Sequence, residues 1–365
     1  MTGLDRETIR ARCTRSVNMD PPRRRLPHHQ LAEFSALAPP DLAADVYGQG
    51  AVIQGFEQEV AALLGKEAAV FMPSGTMAQP IALRIWADRR RLPVVAFHPK
   101  CHLELHEERG YQHLHGLRAR LVGPPSGLIT LAHLEKIAEP VAALLLELPQ
   151  REIGGLLPPW EDLVAACAWA RGRGIALHLD GARLWESAPF YNRNYSEIAG
   201  LFDSVYVSMY KGLGGIAGAV LAGPADFIAE ARVWQRRQGG NLVSLYPYVL
   251  AARAGMATRL GRMGAYRDKA VAIAARLGRL PGLEVIPDPP HTNMMHVAIR
   301  GTAARLEQAA LEVAAETGVW VFGMTVATEL PSTRRIELTI SEGAMEIETE
   351  EIGRLFEALL ERAAR

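Results

Sequence analysis

Ser204-Val205-Tyr206-Val207-Ser208-Met209-Tyr210-Lys211-Gly212-Leu213-Gly214-Gly215 is an apolar run that passes into a lysine and then a glycine-rich loop. Residues 204–207 predict a buried strand, which leaves Lys211 just beyond its end. Working outward, similar short apolar runs lie at 68–72, 94–97, 118–122, 143–148, 174–179 and 217–221. Helical patterns at 77–87, 131–138 and 161–171 fall between several of them. Strands alternating with helices predict an α/β fold built on a large, doubly wound, mostly parallel sheet.

Beyond Gly223 the pattern changes. Helical stretches run to about residue 279, followed by short strands near 283–286, 293–299, 319–322 and 335–340. The last helix repeats Ile352, Leu355, Phe356 and Leu359 on one face. Residues 1–45, with Pro21-Pro22, Arg23–Arg25 and Pro39-Pro40, read as an irregular arm. The expected organisation is an arm at 1–45, a large domain at 46–260 and a smaller α+β domain at 261–365.

The 365 residues are 49% hydrophobic and 22% charged, which suits a globular chain rather than a disordered one. Net charge is zero, so no nucleic-acid partner and no anionic membrane surface is expected. The polar start, MTGLDRETIRARC, is unlike a secretory signal, and the greasy run 141–146 is too short to span a bilayer. Cys13, Cys101 and Cys167 form no CxxC, which points to a reducing cytoplasm, and no metal is assigned.

Ligands of a doubly wound sheet bind beyond the carboxyl ends of its strands. There the chain carries Pro73-Ser74-Gly75-Thr76, the 98–102 stretch with His102, Gln150, Asp180-Gly181-Ala182-Arg183 and Ser208 to Lys211. Ser74-Gly75-Thr76 opens a helix, whose free amides suit a phosphate; an ordinary N-cap reads the same way. Only five lysines occur, at 66, 100, 136, 211 and 269, and the other four read as solvated. Partial burial of Lys211 lowers its pKa and exposes a nucleophilic amine. Asp180 can hold a proton on a pyridine nitrogen, or simply close an Asp-Gly turn. His102 can stack on a flat ring or exchange protons. Arg183 and Arg335 can each grip a carboxylate, or pair with an acid of the protein.

Together these segments resemble the threonine aldolase / β-eliminating lyase family of fold-type-I pyridoxal-phosphate enzymes. The resemblance is carried by Asp45-Val46-Tyr47-Gly48, residues 71–78, His102 with Glu107, residues 178–184, residues 208–214 and Thr292-Asn293. It implies the aspartate-aminotransferase fold and pyridoxal 5'-phosphate held by Lys211 as a Schiff base. It further implies Asp180 at the pyridine nitrogen and His102 on the ring. Ser74, Gly75, Thr76 and Ser208 fall at the phosphate, and Arg183, Arg335, Gln150 and Tyr47 at the substrate. A homodimer or homotetramer with sites at the dimer interface is implied as well.

Two positions depart from the family pattern. Glu147-Leu148-Pro149-Gln150 stands where Glu-Asn-Thr-His is usual, and glutamine cannot take a hydroxyl proton near neutral pH. No arginine follows Gly239-Gly240, where the family uses one at the phosphate. The expected reaction is aldol cleavage of a 3-hydroxy amino acid to glycine and an aldehyde. β-Elimination to a 2-oxo acid and ammonia, or a non-catalytic sensor on the same fold, stays open on these residues.

Overall fold

A computed structural model describes residues 5–365. The chain forms two compact units, one spanning Ala36–Gly261 and the other the residues up to Ser35 together with Arg262–Arg365.

In the first unit seven strands share one sheet: β1 (Ala68–Met72), β2 (Val94–Phe97), β3 (Arg118–Leu121), β4 (Ala143–Glu147), β5 (Ala176–Gly181), β6 (Ser204–Ser208) and β7 (Ala219–Gly223). Their order is β1-β7-β6-β5-β4-β2-β3. Pairings from β3 through β6 are parallel, whereas β7 is antiparallel to both β6 and β1. β1 therefore runs in the same sense as β6, and the carboxyl ends of β1, β2, β4, β5 and β6 open along one edge. Strands wholly buried, such as β2 and β6, are the continuous apolar runs of the sequence. The exposed edge strand β3 carries Arg118 and Arg120, which blunt it against further pairing.

Helices α1 (Ala51–Leu63), α2 (Gly75–Arg90), α3 (His102–Leu105), α4 (Trp160–Gly172), α5 (Leu184–Tyr191), α6 (Ala225–Arg237) and α7 (Tyr246–Arg259) complete the frame. α2 and α6 press Ile81, Ile85, Phe227 and Ile228 onto Val70, Met72 and Leu221. Each such side chain, buried in full, contributes about 1.5–3 kcal/mol. Ser74 caps α2 by accepting from the Met77 amide at 3.3 Å, which fixes where the helix starts.

The second unit has an antiparallel sheet of β8 (Leu283–Ile286), β9 (Met294–Arg300), β10 (Val326–Ala327) and β11 (Thr333–Thr339), in the order β10-β11-β9-β8. α8 (Met263–Leu277), α9 (Ala303–Thr317) and α10 (Thr349–Ala364) supply Ile273, Leu306 and Phe356 to its core.

The irregular arm is corrected by the structure. Arg6–Arg12 is a helix capped by Asp5, Arg15–Ser16 pairs in parallel with Val319–Trp320, and Pro27–Leu37 is a second helix. Ile9 and Cys13 pack with Leu311, Ala314 and Trp320, so this segment belongs to the second unit. A two-turn helix burying so few apolar side chains leaves no periodicity to read. Residues 1–4 of the expected arm lie outside the described residues.

Candidate active site

Lys211 leaves the end of β6 half-buried, and its pKa falls because burial and then the charge of Arg183 disfavour the ammonium, with Asp180 opposing. The expectation that all other lysines are solvated fails. Lys66 donates to the Phe202 carbonyl at 2.6 Å and Lys269 to that of Ile347 at 2.6 Å. Burial lowers the pKa of Lys66 too. It precedes β1, and Phe202 precedes β6, so this ammonium sits at the opposite edge of the sheet from Lys211.

Asp180 is 1% exposed on β5. Its Oδ2 accepts from Gln79 Nε2 at 2.6 Å and its Oδ1 from the Ala182 amide at 3.0 Å. Across the ladder Asp180 is in register with Glu147 on one side and Tyr206 on the other. Burial, followed by the charge of Asp180, pushes Glu147 up to about 8.

The Gln150 amide is fixed in orientation. Its Nε2 donates to Glu147 Oε2 at 2.8 Å and to the Lys100 carbonyl at 3.1 Å. A carbonyl can only accept, so the amide nitrogen must face it, leaving Oε1 as the group on offer. His102 opens α3 with Nδ1 2.8 Å from Glu107 Oε1. Glu107 is buried, and its Oε2 meets no partner among the described residues. Arg183 caps α5 and is half-buried, with Lys211, Glu147 and Tyr210 in its field.

At the start of α2, Gly75 is buried and Thr76 exposed, and the amides of both lie in the first turn, without intrahelical partners. A Cβ at Gly75 would lie 2.1 Å from Tyr206 Oη, so the approach of that phenol requires glycine. Ser208 is fully buried and its Oγ accepts from the Tyr210 amide at 3.4 Å. Tyr47 is 54% exposed, and its amide donates to the Val243 carbonyl at 2.9 Å. Arg335 belongs to the second unit, on β11 opposite Ala298 and Val326. The site thus gathers Lys211, Asp180, Arg183, Gln150, His102, Ser74, Gly75, Thr76 and Ser208 on one sheet edge.

Several neighbours escaped the sequence reading. Gln79 and Tyr206 look like ordinary core positions, and Glu147 ends an apolar strand as Asp180 does, the one signal that marked it. The donor set fits pyridoxal phosphate: a pKa-lowered amine, a buried carboxylate with both oxygens engaged, and first-turn amides suited to a phosphate.

An amine and a buried acid on adjoining strand ends of this sheet define an enzyme of the aspartate-aminotransferase fold that works with pyridoxal phosphate. The chain belongs to the β-eliminating lyase family, whose model matches residues 36–301. A Listeria monocytogenes protein solved as a candidate L-allo-threonine aldolase is 42% identical, with a TM-score of 0.93 and 98% of each chain covered. A candidate aromatic amino acid β-eliminating lyase/threonine aldolase from Exiguobacterium sp. 255-15 is 43% identical, with a TM-score of 0.92, covering 98% of this chain and 100% of that one. The low-specificity L-threonine aldolase of Escherichia coli (strain K12) is 29% identical over 279 residues, 75% of this chain and 81% of its own.

Proposed function

We propose that this protein cleaves the Cα–Cβ bond of 3-hydroxy amino acids of the threonine type, releasing glycine and an aldehyde. The observation that carries the reading is the pairing of a pKa-lowered Lys211 with the buried Asp180 at neighbouring strand ends. The names of the similar proteins support the substrate class.

Pyridoxal phosphate, when bound, supplies an electrophilic carbon for amines and a ring that takes up electrons as a bond at Cα breaks. Lys211 offers its neutral amine to that carbon. Asp180, held in place by Gln79 and Ala182, is the carboxylate placed to pair with the ring nitrogen. Ser74, Gly75, Thr76 and Ser208 receive the phosphate at the α2 terminus. Arg183, with Tyr47, holds the substrate, and a gripped carboxylate fixes which Cα bond is aligned for cleavage. Gln150 Oε1 accepts the hydroxyl hydrogen bond without removing its proton. His102, its Nδ1 held 2.8 Å from Glu107 Oε1, has Nε2 as the ring nitrogen left to meet that proton.

The second reading is β-elimination, favoured by the non-titratable Gln150, since removal of the Cα proton by Lys211 needs no base at the hydroxyl. Incubation with threonine, allo-threonine and phenylserine separates the two. Glycine with aldehyde supports cleavage; 2-oxo acid with ammonia as the sole products contradicts it. The protein is further proposed to act in the cytoplasm as a homodimer or homotetramer with its sites at the dimer interface. Its three free, buried cysteines suit a reducing compartment. A monomeric mass in light scattering contradicts the assembly.

A further inference from the structure

Glu186 lies on α5, is 1% exposed, and its carboxylate oxygens meet no side-chain donor among the described residues, only the backbone amides of Gly212 and of Glu186 itself. A Cβ built on Gly212 would stand 2.2 Å from Glu186 Oε1 and 2.6 Å from its Cδ. The carboxyl is therefore seated directly against the backbone that follows Lys211, and a side chain at position 212 would displace it. Buried carboxyls normally meet side-chain donors; one met only by backbone amides beneath a nucleophile's loop calls for a role.

We propose that Glu186 is a positioning residue for Lys211, its carboxyl lodged against Gly212 so that its ionisation and the charge on the lysine nitrogen are coupled. This inference rests on the reading of Lys211 as the cofactor lysine. The groups facing the carboxyl are Arg183 at the cap of its own helix, Lys211 with the Gly212 amide on the loop, and Tyr195 from the helix Tyr195–Ala199. Burial outweighs the two cations and lifts the acid to about 6, so it changes charge just below neutrality. Above that pH the carboxylate favours a positive nitrogen at Lys211, against burial and Arg183. Below it, the neutral acid leaves the nitrogen to lose its proton more readily.

The test is a pH titration of the visible absorption of the holoenzyme without substrate, comparing wild type with Glu186→Gln and Glu186→Asp. Glu186→Gln is expected to move the midpoint at which the cofactor-bound Lys211 nitrogen loses its proton down by about one unit. Glu186→Asp is expected to restore part of the shift. Coupling is reciprocal, so ¹³C-carboxyl NMR of the Glu186 resonance should show a higher midpoint in Lys211→Ala than in wild type. That second measurement stands if Glu186→Gln does not fold, with Glu186→Asp assigning the resonance. A wild type lacking any visible band after addition of pyridoxal phosphate defeats the cofactor reading. A normal band with the same midpoint in wild type and a folded Glu186→Gln, or a Glu186 resonance indifferent to loss of the lysine, overturns the coupling alone.

Discussion

Glu147 and Asp180 are register partners on neighbouring parallel strands, so two carboxyls stand side by side at the buried edge of the sheet. Asp180 is engaged by two donors suited to an anion. Glu147 also accepts from Gln150 Nε2 and from the Arg151 amide, yet burial and then its neighbour's charge raise its pKa. The pair is thus asymmetric: Asp180 meets Gln79 and Ala182, and Glu147, its pKa raised, meets Gln150.

Stability follows from that asymmetry. The pKa of Glu147 rises on folding from 4.5 to about 8. The folded state binds the proton more tightly, so stability falls as pH climbs between those values and levels off above them. Glu147→Gln imitates the protonated acid and removes this loss. Urea unfolding should find the variant level with wild type near pH 5 and about 1–3 kcal/mol more stable near pH 9. A variant less stable at the higher pH contradicts a neutral Glu147.

Gly75→Ala forces a Cβ onto the buried Tyr206 phenol. Overpacking of this kind costs about 1–3 kcal/mol, and here it also shifts the first turn of α2. Thermal unfolding should register the loss, and equilibrium dialysis should find pyridoxal phosphate bound at least about tenfold more weakly. Unchanged affinity would remove the α2 terminus from the phosphate site.

Gln150→Leu takes away the oriented Oε1 while keeping much of the side-chain volume. A lost hydroxyl contact should lower kcat/KM for 3-hydroxy amino acids by about 10- to 100-fold, without abolishing the visible band. Steady-state kinetics with threonine and allo-threonine give the comparison. An unaffected variant would mean that Gln150 does not touch the substrate.

Much of the sheet could be read in advance, because wholly buried strands are bounded apolar runs. The bounds expected for 68–72, 94–97 and 283–286 are those observed. The apolar run predicts that β5 stops at 179, yet Asp180 and Gly181 remain paired with Tyr206 and Val207, since a turn-forming dipeptide can still hold ladder geometry. Lys211, Asp180 and Arg183 were visible as polar residues that end apolar strands. Gln79, Tyr206 and Glu186 were not, because their importance lies in contacts with residues over a hundred, or two dozen, positions away. The order of the arm is hidden for a related reason: it comes from packing on Leu311, Ala314 and Trp320.

Removing the lysine amine tests the central claim most directly. Wild-type protein with pyridoxal phosphate should show the visible band of the lysine-bound cofactor, and Lys211→Ala should lose the band and about a thousandfold or more of kcat. A band that persists in Lys211→Ala, or a wild type that stays colourless with added cofactor, would contradict the account.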